Sequence, residues 1–286
     1  MGCCDDIDPA AGTRSPGPWR RRFGDLTLAY LPDATLELIP TTFFSTSSDT
    51  DWAGHPDLVA PTGRLTAGAG SLLVELGGRR LLVDAGAGPV DLAEEDTPPP
   101  IGTITSGGLP ASFAAAEVDP DALDLVAITH LHSDHVGWAT GWSTDHDESL
   151  FRRATWLVGE GSMPPGDDGA LYPADHAQRT RSVSDGEEVL PGMRAWSMPG
   201  HLPGHTGWIL DTGDGRRVIA FGDAVHSPAQ VARPDWDVAV DEETDVARES
   251  RLRLFSELER EDTIGFGVHF ADRQLGRIVE GHWHPI

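Results

Sequence analysis

Lysine is absent from this 286-residue sequence, so arginine supplies all 21 of its basic side chains. Aspartate and glutamate together number 46, which gives the chain a formal net charge of −25. A field of this sign repels the phosphate backbone of nucleic acids, whose binding depends on lysine and arginine. We therefore expect no nucleic acid partner, and a nuclease is a disfavoured function.

Cysteine is nearly absent as well, because the chain has only Cys3 and Cys4. Two adjacent cysteines cannot build a disulfide framework, and they are too few for a thiolate zinc site. The sequence also lacks an apolar run of about 18 residues, the length that spans a bilayer. The basic residues 20–22 are not followed by the apolar segment of an export signal. We therefore expect a cytoplasmic protein without a membrane partner.

The composition is that of an ordinary folded protein, with 39% hydrophobic and 23% charged residues. Residues 1–22 are rich in glycine, proline and arginine and show no periodicity, which predicts a disordered N-terminal tail. No linker divides the remainder of the chain. Residues 23–286 are therefore predicted to form one domain.

Short β-rich segments alternate with loops in the first third of the domain. Residues 26–30 and 35–39 flank a Pro-Asp pair, a pattern that predicts a hairpin. A second hairpin is predicted around Gly77 and Gly78. Residues 40–70 are rich in polar residues, glycine and proline and long enough to predict a functional loop, and the sequence does not decide whether this loop walls the substrate site.

Mixed strands and helices follow, which predicts an α/β fold of layered sheets covered by helices. Residues 125–129 are four apolar residues followed by a threonine, a run that is typical of a buried strand. His130 follows this run directly. Helices are predicted near residues 110–118 and 243–260. Further strands are predicted at residues 154–159, 194–197, 208–211 and 217–221.

Three histidines and an aspartate fall within six residues immediately after this buried strand. In an extended segment His130 and His132 point to the same side and could bind one metal ion. Asp134 and His135 could then reach a second ion beside it. The spacing therefore suggests a site for two metals.

Two metals need further ligands, and four later residues are candidates. His201 and His205 lie in glycine- and proline-rich turns, Asp223 ends one predicted strand, and His269 follows a Gly-Val pair. Imidazole and carboxylate ligands suit zinc, iron, manganese or cobalt. We favour Zn²⁺, and we interpret His201 as a turn residue or as a support behind the ligands.

These motifs resemble those of the metallo-β-lactamase fold hydrolases. The resemblance rests on the HxHxDH segment of residues 130–135, the turn at His205, the Gly-Asp pair at Asp223, His269, and a DxG turn at Asp84. It implies a four-layer αβ/βα sandwich with two metal ions. It also implies one ligand set of His130, His132 and His205, a second set of Asp134, His135 and His269, and Asp223 as the bridge between the two ions.

Within this family the sequence is most similar to the lactonase and methyl parathion hydrolase branch. Lactonases of this branch often have tyrosine three residues after the bridging aspartate, where this chain has His226. We predict that His226 either hydrogen-bonds to the substrate or supports a ligand from behind. Asp134 is interpreted as a ligand that can also transfer a proton.

The expected reaction is hydrolysis of a small ester-like molecule, first of all a lactone, by a hydroxide that bridges the two metals. The ion of the His130 set would polarise the carbonyl, and the other would stabilise the leaving alkoxide. The alternatives are an organophosphate triesterase, a β-lactamase, a thioesterase, or a metal-bearing binding protein without turnover. The sequence leaves a homodimer open. Five aromatic residues in or beside the candidate site loops are interpreted either as an apolar substrate wall or as core and loop packing: Phe43, Phe44, Trp52, Trp138 and Trp142.

Overall fold

Two mixed sheets form the centre of the computed structural model, which describes residues 9–139, 150–162 and 179–286. The strands are β1 Trp19–Phe23, β2 Leu26–Leu38, β3 Leu65–Leu76, β4 Arg79–Val83, β5 Ile101–Thr105, β6 Leu125–Ala127, β7 Thr155–Gly159, β8 Thr180–Val183, β9 Glu188–Leu190, β10 Met193–Ser197, β11 Thr206–Asp211, β12 Arg217–Ala220, β13 Thr263–Phe266, β14 Leu275–Val279 and β15 His282–Pro285. The first sheet has the strand order β1-β2-β3-β4-β6-β7-β8, and β5 pairs with β2. The order in the second sheet is β15-β14-β13-β12-β11-β10-β9.

The long strand β2 is buried on both of its faces because its side chains alternate between two cores. Leu28 and Tyr30 point into the core between the two sheets. Ala29 and Leu31 point to the opposite face, where helices cover the first sheet. Burial of both faces explains why nine of the 13 positions of the strand, Pro32 included, are apolar.

Helices cover the outer faces of both sheets, which gives the αβ/βα sandwich that the sequence predicts. In helix α3 (Leu109–Ala115), Leu109 and Phe113 pack on the first sheet. In helix α6 (Thr244–Leu258), Leu254 and Leu258 pack on the second. Both long predicted helices are therefore confirmed. The helices are α1 Pro40–Phe43, α2 Asp49–Trp52, α3 Leu109–Ala115, α4 Ser133–Val136, α5 Pro228–Ala232 and α6 Thr244–Leu258.

The first predicted hairpin is wrong, whereas the second is confirmed. β2 continues from Leu26 to Leu38 without a turn, and its pairing with β3 shifts register between Pro32 and Ala34. The shift leaves Asp33 out of the ladder as a bulge, which bends a strand without reversing it. β3 and β4 do pair across Gly77 and Gly78.

The prediction of a disordered tail is also wrong for the part of residues 1–22 that the structure describes. Pro9–Thr13 forms a 3₁₀ helix, and β1 pairs with β2 along its whole length. Trp19 anchors this strand, since its ring stacks 6.2 Å from that of Tyr30 and its Nε1–H donates to Gln274 Oε1 at 3.0 Å. None of the helices in the described ranges is long and apolar enough to cross a membrane.

Candidate metal centre

The candidate ligands lie in loops that follow the ends of strands. His130 follows β6, Asp223 follows β12 and His269 follows β13. Because β12 and β13 run parallel, their carboxyl ends meet at one edge of the second sheet. The backbone N–H of Thr206 donates to the carbonyl of Thr129 at 2.8 Å, and this bond joins the loops of the two sheets.

A glycine allows the aspartate loop to come this close to the histidines. Gly222 has φ of +51°, in the left-handed region that favours glycine. A Cβ atom at this position would lie 2.8 Å from Thr129 Cβ and 2.9 Å from His205 Nε2. Glycine at position 222 is therefore needed for the Asp223 loop to approach the His130 loop this closely.

Four side chains converge at the first of two positions, and we call His130, His132, His201 and Asp223 the four-residue group. His132 Nδ1 lies 3.0 Å from His130 Nε2 and 3.0 Å from His201 Nε2. Asp223 Oδ2 lies 3.3 Å from His201 Nε2 and 3.6 Å from His130 Nε2. All four ligand atoms lie within 4.8 Å of one another, as the donors around one cation do.

Asp134, His135 and His269 converge beside it as the three-residue group. Asp134 Oδ2 lies 3.7 Å from the Nε2 atom of each histidine. Asp223 Oδ1 lies 3.1 Å from the same two Nε2 atoms. One carboxylate thus faces the four-residue group with Oδ2 and the three-residue group with Oδ1, which is the geometry of a bridge.

Two buried atoms at this junction fit a cation in particular. Asp223 Oδ1 and His135 Nε2 lie 3.1 Å apart, but neither atom forms a hydrogen bond in the part of the chain that the structure describes. Leaving such atoms unpaired in a buried site is costly. Nitrogen and oxygen donors in this arrangement suit a divalent ion such as zinc, iron, manganese or cobalt. The residues present therefore fit two metal ions.

The electrostatics of the site depend on burial and on the crowding of like groups. Burial raises the pKa of Asp223, but His269, His135 and other histidines hold it well below its usual value. Burial, together with His201, lowers the pKa of His132 to about 4. Burial also lowers the pKa of His201, but hydrogen bonds to Asp223 and Asp241 more than offset this and raise it to about 9.

The outer nitrogens of three histidines are held by acceptors behind them. Such contacts fix the tautomer and the ring orientation of a metal-binding histidine. The Nδ1 atoms and their partners are His135 with Asp84 Oδ2, His201 with Asp241 Oδ1, and His269 with the carbonyl of Gly68, each at 2.8 Å.

The structure brings six of the seven predicted ligands together, and it corrects the seventh. His205 lies behind the site: its Nδ1–H donates to the carbonyl of Met198 at 2.9 Å, and its Nε2 accepts the N–H of Asp223 at 3.0 Å. Both nitrogens are thus occupied, and burial lowers its pKa to about 3. His201, interpreted from the sequence as a turn residue or a support behind the ligands, occupies the predicted position of His205. Nothing in the sequence separates the two histidines, because each follows a Pro-Gly pair.

The structure places His226 beside the bridging aspartate. Its Nε2 lies 3.1 Å from Asp223 Oδ2, and its ring stacks 5.7 Å from that of His269. Its buried Nδ1 has no hydrogen-bond partner among the residues that the structure describes. His226 and Asp134 both line the adjoining pocket.

The pocket over these ligands has a volume of about 320 Å³ and is largely apolar. No arginine lines it within the described part of the chain. We call the apolar lining residues the apolar wall and the two ligand groups together the metal floor. The apolar wall consists of Leu36, Leu38, Phe43, Ala67, Ala87, Val90, Leu92, Ile101, Ile104 and Val240.

Of the aromatic residues predicted for this wall, Phe43 alone lines the pocket within the described ranges. Phe44 and Trp52 pack behind it, where both rings contact that of Trp236. Trp138 donates its Nε1–H to Asp33 Oδ1 at 2.8 Å. Trp142 lies outside the described residues. The wall interpretation thus holds for Phe43, and the packing interpretation holds for Phe44, Trp52 and Trp138, because aliphatic residues from distant segments form most of the wall.

Comparison with known proteins agrees with this architecture. A hydrolase of the β-lactamase superfamily named AbOPH is 22% identical over 96% of this chain and 98% of its own, with a TM-score of 0.77. AidC, a dizinc quorum-quenching lactonase, is 18% identical over 94% and 97% of the two chains, with a TM-score of 0.76. A probable metal-dependent hydrolase from Staphylococcus aureus is 18% identical over 93% and 99%, with a TM-score of 0.78. The family model of the metallo-beta-lactamase superfamily matches residues 69–260, and the chain therefore belongs to that superfamily.

Proposed function

We propose that this protein is a two-metal hydrolase that opens an uncharged lactone with an apolar substituent. The observation that carries the proposal is Asp223, whose two oxygens face two separate ligand groups at the base of an apolar pocket. The chemistry of the donors favours Zn²⁺ as the native ion. AidC supports the assignment, because its structure holds a product named N-hexanoyl-L-homoserine.

Divalent ions bound here would supply Lewis acidity for an ester carbonyl and lower the pKa of water toward neutrality. The chain's own residues hold and orient these ions. Asp223 would contact both of them, and the acceptors behind His135, His201 and His269 keep the Nε2 atoms directed inward. No serine or cysteine nucleophile is needed.

The residues around the ligands suit binding of a substrate rather than storage of metal. His226 can present its Nδ1 to a bound substrate while its Nε2 stays on Asp223. Asp134 is the most accessible carboxylate of the metal floor, with 21% of its side chain exposed. Its position allows both metal binding and transfer of a proton to a leaving oxygen.

The apolar wall supports a neutral substrate. Away from the metal floor, the described lining of the pocket is largely apolar and offers no arginine to a substrate carboxylate or to the phosphate groups of a charged thioester. Burying an anion without a partner is costly. This disfavours β-lactams with a free carboxylate and charged thioesters, while an organophosphate triester remains a neutral second substrate class.

The test is hydrolysis by Zn²⁺-loaded protein of a panel comprising short- and long-chain lactones, an aryl ester, a neutral phosphotriester and a carboxylate-bearing β-lactam. We expect the long-chain lactone to have the highest kcat/KM and the β-lactam the lowest. His132→Ala should abolish turnover. His282→Ala is the matched control, because His282 is exposed on β15 and its Nδ1 contacts the carbonyl of Glu280.

Three outcomes would contradict the proposal. A metal-loaded protein that cleaves no member of the panel would instead be a metal-bearing binding protein. Faster cleavage of the β-lactam than of any lactone would show that the apolar wall does not select the substrate. Faster cleavage of the phosphotriester would move the assignment to the second class.

A further inference from the structure

A buried arginine lies behind the metal floor and is not itself a metal ligand. Arg251 of α6 is 1% exposed, whereas arginine is rarely this buried unless it is paired. Its Nε–H donates to the carbonyl of Ala224, the residue directly after Asp223, at 3.1 Å. Its Nη1 donates to the carbonyls of Pro234 and Trp236, each at 3.1 Å. Arg251 thus ties the Asp223 turn to the segment of residues 234–241.

The charge partner of this arginine is Asp241, whose side chain is 0% exposed. Arg251 Nη2 lies 3.4 Å from Asp241 Oδ2, while Asp241 Oδ1 lies 2.8 Å from His201 Nδ1. An unbroken chain of contacts therefore runs from Arg251 through Asp241 to His201. His201 Nε2, at the far end, faces His132 and Asp223 in the four-residue group.

Backbone bonds hold the same segment against His201. The N–H of Glu242 donates to the carbonyl of His201 at 3.1 Å, and the N–H of Glu243 donates to that of Gly200 at 2.8 Å. Val240, next to Asp241, lines the apolar wall. The carboxylate is therefore fixed from both sides and cannot follow a displaced imidazole.

A buried ion pair of this kind is weak evidence for a role in stability, because desolvation offsets much of its attraction. A carboxylate on the outer nitrogen of a metal-binding histidine, in contrast, fixes the tautomer and orients the ring. We propose that Asp241, held in place by Arg251, positions His201 and thereby sets the affinity of the ion in the four-residue group. This inference rests on the proposed two-metal function.

The inference predicts that the two ions respond separately, because His135 in the three-residue group has its own carboxylate, Asp84. In Asp241→Asn the side chain keeps its size and can still accept from His201, but it loses its charge. We expect one of two Zn²⁺ equivalents to bind about 10- to 100-fold more weakly, and the other to bind unchanged. Arg251→Lys keeps the charge with fewer donors and should weaken the same ion by a smaller factor.

A matched control pair joins the same two parts of the chain, the segment of residues 234–241 and α6. Asp237 pairs with Arg248 of α6, as Asp241 pairs with Arg251, but in the described structure it contacts no histidine. Asp237→Asn should leave both Zn²⁺ affinities unchanged. The affinities are measured by competition with a chromophoric chelator, and the thermal midpoint of each metal-free variant is recorded alongside.

The outcomes separate this inference from the proposed function. If the wild-type protein binds two ions and Asp241→Asn binds both with the same affinities as the wild type, the positioning role alone is overturned. Equal weakening of both ions, accompanied by a lower thermal midpoint of the metal-free variant, would show a structural role and also overturn it. Wild-type protein that binds no Zn²⁺ would overturn the proposed function, and this inference with it.

Discussion

The metal floor and the apolar wall meet in one pocket, but they are built in opposite ways. The metal floor consists of polar groups, most of them nearly inaccessible, and three of its histidines are held by acceptors behind them. The apolar wall comes from β2, β3, α1, the segment of residues 87–104 and Val240, and its members contribute shape alone. Under the proposed function, this difference places catalysis and substrate choice in separable parts of the site, so mutations should affect one without the other.

The largest effect should follow from breaking the metal floor at its bridge. Asp223→Asn removes a charge that faces both ligand groups, and we expect it to lower kcat/KM by more than about 100-fold, the upper cost of losing an outer partner of a ligand. Bound metal should fall below the wild-type level, as measured by elemental analysis of the purified variant. Wild-type metal content with lost activity would assign Asp223 a role other than bridging.

A residue between the two regions tests whether they are structurally coupled. Asp33 is 6% exposed; Oδ2 accepts from the N–H of Ala87 in the apolar wall, and Oδ1 accepts from Trp138 beside the His135 helix. Asparagine would turn an N–H₂ toward these donors. Asp33→Asn should therefore lower the free energy of unfolding by about 2 to 4 kcal/mol, as measured by urea denaturation.

Asp235→Asn provides the control for this stability measurement. Its side chain is 65% exposed and pairs with Arg233, so the change should stay within about 0.5 kcal/mol. A similar loss in both variants would mean that the buried carboxylate does not join the two regions.

The metal floor should also respond to pH, whereas the apolar wall carries no titratable group. His201 has a pKa of about 9 in the metal-free protein, and an ion must displace its proton. Zn²⁺ affinity should therefore rise by at least about tenfold per pH unit below pH 9, because His135 and His269, whose pKa values nearby carboxylates also raise, release protons as well. Calorimetry in two buffers of different ionisation enthalpy counts the released protons. Affinity that does not change with pH would contradict the protonation of His201.

The smallest effect is expected in the apolar wall. Ile104→Ala removes apolar surface from the pocket, and we expect kcat/KM for a long-chain lactone to fall about three- to tenfold. The value for a short-chain lactone and the bound metal should not change. Val279→Ala, at an aliphatic residue that is 42% exposed, is the control. An equal loss with both lactones would show that the wall does not contact the chain.

The sequence predicted the metal floor better than the wall for a physical reason. Ligands such as His130, His132 and His135 occur close together, and their chemistry restricts what they can do. Choosing His201 over His205 required knowing which ring nitrogens the fold occupies. Ile104 and Val240 look like ordinary apolar residues until the fold brings them together.

The same limit applied to the fold. Gly77 and Gly78 marked a turn by their own conformational freedom, so that hairpin could be read from the sequence. Pro32 and Asp33 also resembled a turn, but pairing along the whole of β3 converted them into a bulge. β1 could not be predicted because Trp19 is held by Tyr30 and Gln274, which are distant in sequence.

The most direct test of the central claim is a titration of metal-free protein with Zn²⁺ in which the rate of opening of a long-chain lactone is followed. A two-metal site bridged by Asp223 predicts that activity rises until two equivalents have bound and that it returns to baseline when a chelator is added. Activity that is complete without metal, or no activity at any Zn²⁺ concentration, would contradict it.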